Sequence, residues 1–190
     1  MEGQDGQAAG DRRRDRLNST AHRVGIAVLA HRELPVAESI RAVMALAYAQ
    51  EAQLLQIADF PPLARTAADI AADDDLYIGA RMGVEIGGQI VGVLSFGPDP
   101  EAEQWCINTL VVHPAAQGQG TGRRLVEAAL LHLGGTPCAV VTAAANAPAL
   151  ALYQTLGFRP YRHGVVGPDD LAMVKLRRGA QPAKATPSSG

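Results

Sequence analysis

The stretch from residue 105 to residue 142 constrains the fold of this 190-residue chain more than any other part of it. An apolar run typical of a strand, Trp105 to Val112, precedes a glycine-rich loop, Gln117 to Gly122. Apolar residues at helical spacing follow from Leu125, and a second apolar run begins at Cys138. A strand, a crossover helix and a strand in this order predict two parallel neighbouring strands.

The other segments predict a mixed sheet with flanking helices. Residues 76–86 and 89–96 flank Gly87 and Gly88, which indicates an antiparallel hairpin. Further strands are predicted over 24–29, from Phe158, and as an edge strand over 171–176, with a loop over 163–170. Helices are predicted around 40–48, over 63–71, around 125–133 and over 148–156. The expected fold class is therefore α/β with a mixed (α+β) sheet.

Composition and charge favour one domain that handles a small ligand. With 47% hydrophobic residues, the chain can build one sizeable core, predicted over 21–178, with disordered tails at 1–20 and 179–190. A net charge of -2 without a basic stripe argues against a nucleic-acid partner. No stretch has the length or composition of a signal peptide or membrane span, so we expect a cytoplasmic protein without a membrane partner.

Cysteine and histidine spacing gives no support for metal or thiol chemistry. Cys106 and Cys138 lie inside apolar runs, where a thiol usually packs as a small hydrophobe, and they form no CxxC pair. The five histidines show no metal-ligand spacing, so no metal is expected.

The loop from Gln117 to Gly122 predicts an anion site. Glycines let backbone N–H groups turn toward a ligand at the positive end of a helix, and Arg123 and Arg124 add charge. A tight connection without a ligand has the same local pattern. The dinucleotide fingerprint fails where Arg123 replaces its third glycine, and the Gly-Lys pair of a Walker loop is absent.

Two motifs in this region resemble those of the GNAT (GCN5-related N-acetyltransferase) family. Gln117, Gly120 and Gly122 match its motif A, which has Gln or Arg, two residues, Gly, one residue, then Gly or Ala. Residues 110–114 are similar to its fourth strand, and residues 146–158 resemble its motif B. The resemblance implies a mostly antiparallel central sheet whose parallel fourth and fifth strands splay apart.

The resemblance also implies a binding mode for acetyl-CoA. The pantetheine arm would pair with the fourth strand, and the pyrophosphate would rest on the glycine loop and the helix start. Asn146 matches a position that often touches the cofactor, although it could equally be a helix cap. The implied cofactor-binding residues are Leu110, Val111, Val112, Gln117, Gly118, Gln119, Gly120, Thr121, Gly122, Arg123, Arg124, Asn146 and Tyr153.

Tyr153 is the implied catalytic residue, because motif B places it beside the thioester sulfur. Ala149, Tyr153 and Leu156 share one helical face, so the phenol should point toward the sheet. A phenol with a pKa near ~10 can donate to the departing thiolate without ionising at neutral pH. An aromatic residue at this spacing can also be plain core packing.

The general base is less evident. Many relatives carry an acid partway along the fourth strand, where this chain has Cys106, Ile107, Asn108 and Thr109. Glu51, Asp59, His163 or a chain of waters are the candidates, and each of these side chains could instead be a solvated surface group.

These features predict an N-acetyltransferase that moves an acetyl group from acetyl-CoA to a primary amine of a small molecule or peptide by direct attack in a ternary complex. An alternative is a non-catalytic acyl-CoA binding or sensing module, and a third is a nucleotide-binding domain that uses the same loop. The acidic cluster at 73–75 could attract a cationic substrate or cap a strand. A homodimer is possible.

Overall fold

The structure, a computed structural model, describes residues 24–83, 88–167 and 170–180. Seven strands form one sheet in the order β1-β2-β3-β4-β5-β7-β6. The strands are β1 Val24–Val28, β2 Leu76–Met82, β3 Gln89–Pro98, β4 Trp105–Val112, β5 Cys138–Ala143, β6 Arg159–Val166 and β7 Leu171–Arg178. The helices are α1 Leu34–Leu55, α2 Ala67–Ala72, α3 Thr121–His132 and α4 Ala147–Thr155. The predicted tails, apart from residues 179 and 180, and the first glycine of the predicted hairpin turn lie outside the described residues.

Local sequence accounts for the helix boundaries. Pro35 occupies the first turn of α1, where its missing N–H costs nothing. Thr66 and Asp69 form a reciprocal capping box at the start of α2. Asn146 caps α4, since its side chain accepts a hydrogen bond from the Ala149 amide at 3.2 Å, and Gly157 (φ 87°) follows the last turn.

Two clusters of buried side chains cover the two faces of the sheet. Val93 and Leu94 are successive residues of β3, whose side chains point to opposite faces, and they belong to different clusters. The face with Leu94 packs against α3 and α4 through Leu125 and Tyr153. The face with Val93 packs against α1, and its members are Leu29, Ala37, Ile40, Val43, Met44, Ala47, Tyr48, Ile70, Tyr77, Ile90, Val93 and Val111.

The central prediction of the fold is confirmed. β4 and β5 pair in parallel over three residue pairs that end at Ile107 opposite Val140. A register shift in the β3–β4 pairing leaves Asn108 unpaired at the same level. A bulge bends the strand that contains it, so β4 leaves β5 beyond Ile107 and opens a gap between the two strands.

The last two strands differ from the prediction. β7 pairs with β5 and β6 and is therefore interior, while β6 forms the edge of the sheet. The expected loop over 163–170 is also wrong over its first part, because His163 pairs with Val174 inside β6. Alternation along a short strand shows which face is buried, but it does not show which strand ends the sheet.

A buried ion pair connects β7 to the turn after β3. The Lys175 ammonium lies 2.8 Å from the Asp99 carboxylate, and both side chains are almost fully buried. Gln104 donates a second hydrogen bond to Asp99 at 2.8 Å. A lysine can therefore occupy an interior strand, since its charge is neutralised within the fold.

Candidate active site

The gap between β4 and β5 opens into a cavity of about 420 Å³. Residues from both splayed strands line it, together with Tyr153 of α4 and Tyr48 and Glu51 of α1. The loop after α1, which includes Phe60, and the β6–β7 turn complete its walls. We call this space the splay cavity.

A second space, a groove of about 730 Å³, runs along the outer half of β4 to the start of α3. Its walls are residues 110–112 of β4, the glycine loop, the second half of α1 and the start of α4. The groove and the splay cavity share four lining residues, which are Glu51, Leu110, Asn146 and Ala149. A long, narrow ligand in the groove can therefore extend one end into the splay cavity.

The glycine loop has the geometry of an anion cradle. Gly118 and Gly120 have φ values of 71° and 77°, which side chains disfavour, and Gly120 caps α3. Among the described residues, none of the amides from Gly118 to Arg123 donates to another backbone carbonyl. These amides remain free to bind phosphate oxygens at the positive end of a helix.

Hydrogen bonds from its own polar side chains hold the glycine loop in place. Gln117 donates to the Val112 carbonyl at 3.0 Å and to the Gln50 side chain at 2.8 Å, which ties the loop to α1. The Thr121 hydroxyl donates to the Ala116 carbonyl at 3.2 Å. Gly122 faces Val112 and Leu152 across the groove and keeps it open.

Two of the expected cofactor-binding side chains are engaged elsewhere. Arg124 donates to the Val24 carbonyl at 2.7 Å, and Gln119 donates to the Ala115 carbonyl at 3.1 Å. Neither residue lines the groove, whereas Arg123 does, and its guanidinium pairs there with Glu127 at 2.8 Å. Any contribution from Arg124 or Gln119 to pyrophosphate binding would come from the backbone, or from charge at longer range.

Tyr153 of α4 is buried and lines the splay cavity between β4 and β5. Its ring packs edge-on against Phe158 with centroids 5.6 Å apart, and only 3% of the residue is exposed. Burial, and to a lesser extent the nearby Glu51 carboxylate, raise the pKa of the phenol well above its ordinary value. The hydroxyl therefore stays protonated at neutral pH and can act as a donor.

Glu51 is the candidate base that the fold carries into the site. The side chain is half-buried on α1 and accepts a 2.8 Å hydrogen bond from the Asn146 amide. Burial raises the pKa of Glu51, and the hydrogen bond from Asn146 offsets part of that rise. Glu51 is thus partly shielded from solvent, and its role as the base stays a prediction.

The other two candidate bases are placed differently. Asp59 lies on the loop after α1, where it is exposed and lines the splay cavity. His163 is exposed on the edge strand β6 and lines neither space. Of the two acids, only Glu51 lies where the groove and the cavity meet.

Sequence reasoning missed Tyr48 as a site residue. Tyr48 and Thr109 of β4 both line the splay cavity. Burial raises the pKa of this tyrosine too. The spacing of Tyr48 and Glu51, three residues apart on α1, was the available signal, since it places both side chains on one helical face.

Each acid of the cluster at 73–75 pairs with a side chain elsewhere in the chain. Asp73 pairs with Arg65 and accepts from the Tyr77 hydroxyl at 2.8 Å, while Asp74 pairs with Arg32 at 2.9 Å. Asp75 accepts hydrogen bonds from Ser95 at 2.9 Å and from Asn108 at 3.0 Å. None of the three lines the splay cavity, so their role in the described structure is to hold neighbouring segments together.

The remaining candidates for special chemistry are inert in this structure. Burial raises the pKa of Cys106 to about 11 and that of Cys138 to about 12, which keeps both thiols protonated. Across the described ranges, no group of three or more His, Cys, Asp or Glu residues is arranged to hold a metal ion. In the same ranges, no helix is long and apolar enough to cross a membrane.

Comparison with known proteins decides the family. The sequence model of the acetyltransferase (GNAT) family matches residues 43–158. The chain belongs to the GNAT acetyltransferase family. Acetyl-CoA is the acetyl donor of this family, so the predicted family, donor and enzyme class are confirmed at that level.

The chain is also similar to individual proteins, one of which is named as an acetyltransferase. The chain is 36% identical over 109 residues to the N-alpha-acetyltransferase RimI of Mycobacterium tuberculosis, covering 57% of this chain and 68% of that protein. It is 33% identical over 135 residues to the UPF0157 protein YqkA of Bacillus subtilis, which covers 70% of this chain but 38% of that protein. The chain thus spans well under half of the Bacillus relative.

Solved GNAT structures share the fold. The ribosomal-protein-S18-alanine N-acetyltransferase of Escherichia coli aligns over 88% of this chain and 99% of its own, with a TM-score of 0.62 and 19% identity. The acetyltransferase YncA of Salmonella typhimurium, solved with acetyl-CoA, aligns over the same fractions, with a TM-score of 0.64 and 17% identity. At these identities the likeness establishes the fold, and the mixed sheet with splayed β4 and β5 is confirmed.

Proposed function

We propose that this GNAT protein is an N-acetyltransferase that transfers the acetyl group of acetyl-CoA to a primary amine in a ternary complex. One observation carries the proposal: the groove, which runs along β4 to the glycine loop, and the splay cavity share a junction. Its residues are Glu51, Leu110, Asn146 and Ala149. Donor and acceptor can approach that junction from opposite sides. Direct attack then needs no covalent intermediate with the enzyme.

The chain has suitable groups for the donor along the whole groove. The amides from Gly118 to Arg123 would hold the pyrophosphate, with the Arg123 guanidinium beside them. Beyond Ile107, β4 has no β5 partner in the described structure. Val111 lies opposite Val93 in the hydrogen-bonded register with β3, so main-chain groups of Leu110 and Val112, on the other side of β4, would pair with the pantetheine arm. The thioester would then lie in the splay, next to Tyr153.

Glu51 and Tyr153 provide the two proton-transfer groups. An alkylammonium with a pKa near ~10.4 must lose a proton before it attacks, and Glu51, directly or through water, would accept that proton. The amine nitrogen then bonds to the acetyl carbon, and the carbon–sulfur bond breaks. Tyr153 would donate to the departing sulfur, and the second proton released by nitrogen restores the phenol through solvent.

A non-catalytic acyl-CoA binding module is the second candidate. The observation in its favour is that β4 has Cys106, Ile107, Asn108 and Thr109 where many relatives carry an acid. An enzyme of this design would depend on Glu51 from α1 for its base. Turnover therefore separates the two functions.

The test is a screen of amines with thiol release from acetyl-CoA as the readout, covering amino-acid derivatives, polyamines, aminoglycosides and peptide N-termini. The proposal expects steady release with at least one amine and binding of acetyl-CoA by calorimetry. Tight acetyl-CoA binding with no turnover on any amine would favour the binding module. Tighter binding of ATP or NAD than of acetyl-CoA would favour a nucleotide site.

The expected cytoplasmic location, the possible homodimer, the absence of a nucleic-acid partner and the domain limits 21–178 stay predictions. The two buried, unpaired cysteines support a reducing compartment.

A further inference from the structure

We propose that the acceptor is a primary amine on an apolar body that carries no anionic group, so that amino-acid amides and N-terminal amines are substrates and free amino acids are not. This inference rests on the proposed function, because it concerns the acceptor of the same reaction. It follows from the walls and the charges of the splay cavity.

The cavity wall beyond the reaction point is apolar. The loop after α1 contributes Phe60, Pro61 and Pro62, and the β6–β7 hairpin contributes Val166 and Met173. Val141 of β5 is 44% exposed, which is unusual for a strand that lies inside the sheet. Apolar surface that faces an open cavity is stabilised when an apolar ligand covers it.

The charges in the cavity have one sign. Glu51 and Asp59 are acids, and no Lys, Arg or His is among its lining residues within the described chain. Arg65, which acts on Tyr48 electrostatically, is already paired with Asp73. An acceptor carboxylate would therefore lose water and meet two acids without a compensating cation, which is costly.

The two acids attract the ammonium form of the acceptor. Glu51 lies at the junction, and Asp59 is an exposed acid on the loop after α1 that lines the same cavity. The cavity thus favours a cationic amine and disfavours one that carries an anionic group.

A matched series of small amines tests this inference. Leucine and leucinamide share one apolar body, but leucine has a carboxylate where leucinamide has a neutral amide, and isoamylamine has neither of these groups. With thiol release as the readout, we expect kcat/KM for leucinamide and isoamylamine to exceed that for leucine by tenfold or more. A short, C-terminally amidated peptide with an N-terminal leucine distinguishes a peptide acceptor from a small-molecule acceptor.

Variants at the cavity mouth give a second, independent readout. Asp59→Lys supplies the missing cation, so the leucinamide-to-leucine ratio of kcat/KM should fall at least fivefold while acetyl-CoA affinity stays constant. Asp74→Lys is the matched control, because Asp74 is an exposed acid that lines neither the splay cavity nor the groove. The control should leave the ratio unchanged.

The outcomes separate this inference from the proposed function. Acetylation with leucine as the best substrate, or an unchanged ratio in Asp59→Lys, would overturn the acceptor class and leave the transferase intact. Acetyl-CoA binding with no acetylation of any amine would overturn both.

Discussion

Asn146 connects the two sides of the candidate active site through a single side chain. Its amide group donates to Glu51 at 2.8 Å, and its carbonyl oxygen accepts from the Ala149 amide at 3.2 Å. The first hydrogen bond joins Asn146 to Glu51, the candidate base on α1. The second caps α4, the helix that carries Tyr153. Asn146 therefore links the candidate base to the helix that carries the candidate acid.

The pH profile should report this connection. Glu51 acts as a base when ionised, so kcat/KM should rise with pH through its pKa, which burial raises above 4.5. Asn146→Ser keeps a helix cap but removes the amide donor, so the acidic limb should move to higher pH. Asn146→Asp also keeps a cap and adds a negative charge beside Glu51, so it should move the limb further.

A purely structural role for Asn146 predicts a different result. In that case both variants would lower kcat without displacing the acidic limb. An unchanged limb in Asn146→Asp would remove Glu51 as the base that limits the reaction at low pH.

Tyr153→Phe isolates the contribution of the hydroxyl. The ring that packs on Phe158 is retained, so the melting temperature and the acetyl-CoA dissociation constant should stay close to wild type. We expect kcat to fall about 10²-fold, the scale of general acid catalysis. Tyr48→Phe is the control, because it removes a second buried phenol in the same cavity, and its effect should be smaller. Equal turnover in Tyr153→Phe and wild type would refute the catalytic role of Tyr153.

Gly122→Leu tests the groove. A Cβ at residue 122 would stand 3.5 Å from Leu152 and 3.7 Å from Val112, which is ordinary contact, so alanine should be tolerated. Leucine would extend into the groove, and we expect at least a tenfold loss of acetyl-CoA affinity by calorimetry. Gly164→Leu is the control, since that glycine has open space around it on β6, and binding should not change. Wild-type affinity in Gly122→Leu would place the donor elsewhere.

The buried pair of Lys175 and Asp99 predicts how stability depends on pH. Burial alone would raise the pKa of Asp99, but hydrogen bonds from Lys175 and Gln104 outweigh it and hold the pKa below 3.8. A carboxyl whose pKa is lowered by folding adds stability above its unfolded pKa, and that stability is lost as pH falls through the folded value. The free energy of unfolding should therefore decrease as the pH drops below about 4.

Lys175→Met should destabilise the protein by about 3–5 kcal/mol at neutral pH, because it leaves the Asp99 charge buried without its partner. Acidification should then recover part of the loss, since protonation removes that charge. Urea unfolding measures both effects, and Arg177→Met, an exposed neighbour on β7, should cost less than 1 kcal/mol. Equal stability of the two variants would contradict the account.

Local patterns predicted most of the fold and the glycine loop of the candidate site. The run from Trp105 to Val112 is rich in β-forming residues, so local sequence predicts a strand there. A proline and glycines with positive φ follow it, so local sequence predicts the loop as well. The bulge at Asn108 leaves no such signal, because it depends on how β3 and β4 align. β7 resembles an edge strand through Lys175 and Arg177, yet a partner 76 residues away neutralises the lysine.

The base could not be assigned for the same reason. Glu51 meets Asn146 across 95 residues of sequence, and only the packing of α1 on the sheet brings them together. Asp59 and His163 had equal standing until the fold placed one at the cavity mouth and the other on an outer strand.

A crystal structure of the protein with acetyl-CoA is the most direct measurement of the central claim. We predict that the pyrophosphate lies on the amides from Gly118 to Arg123 and that the thioester sulfur lies within about 3.5 Å of the Tyr153 hydroxyl. A donor bound outside the groove, or a sulfur atom on the far side of β4 from Tyr153, would contradict it.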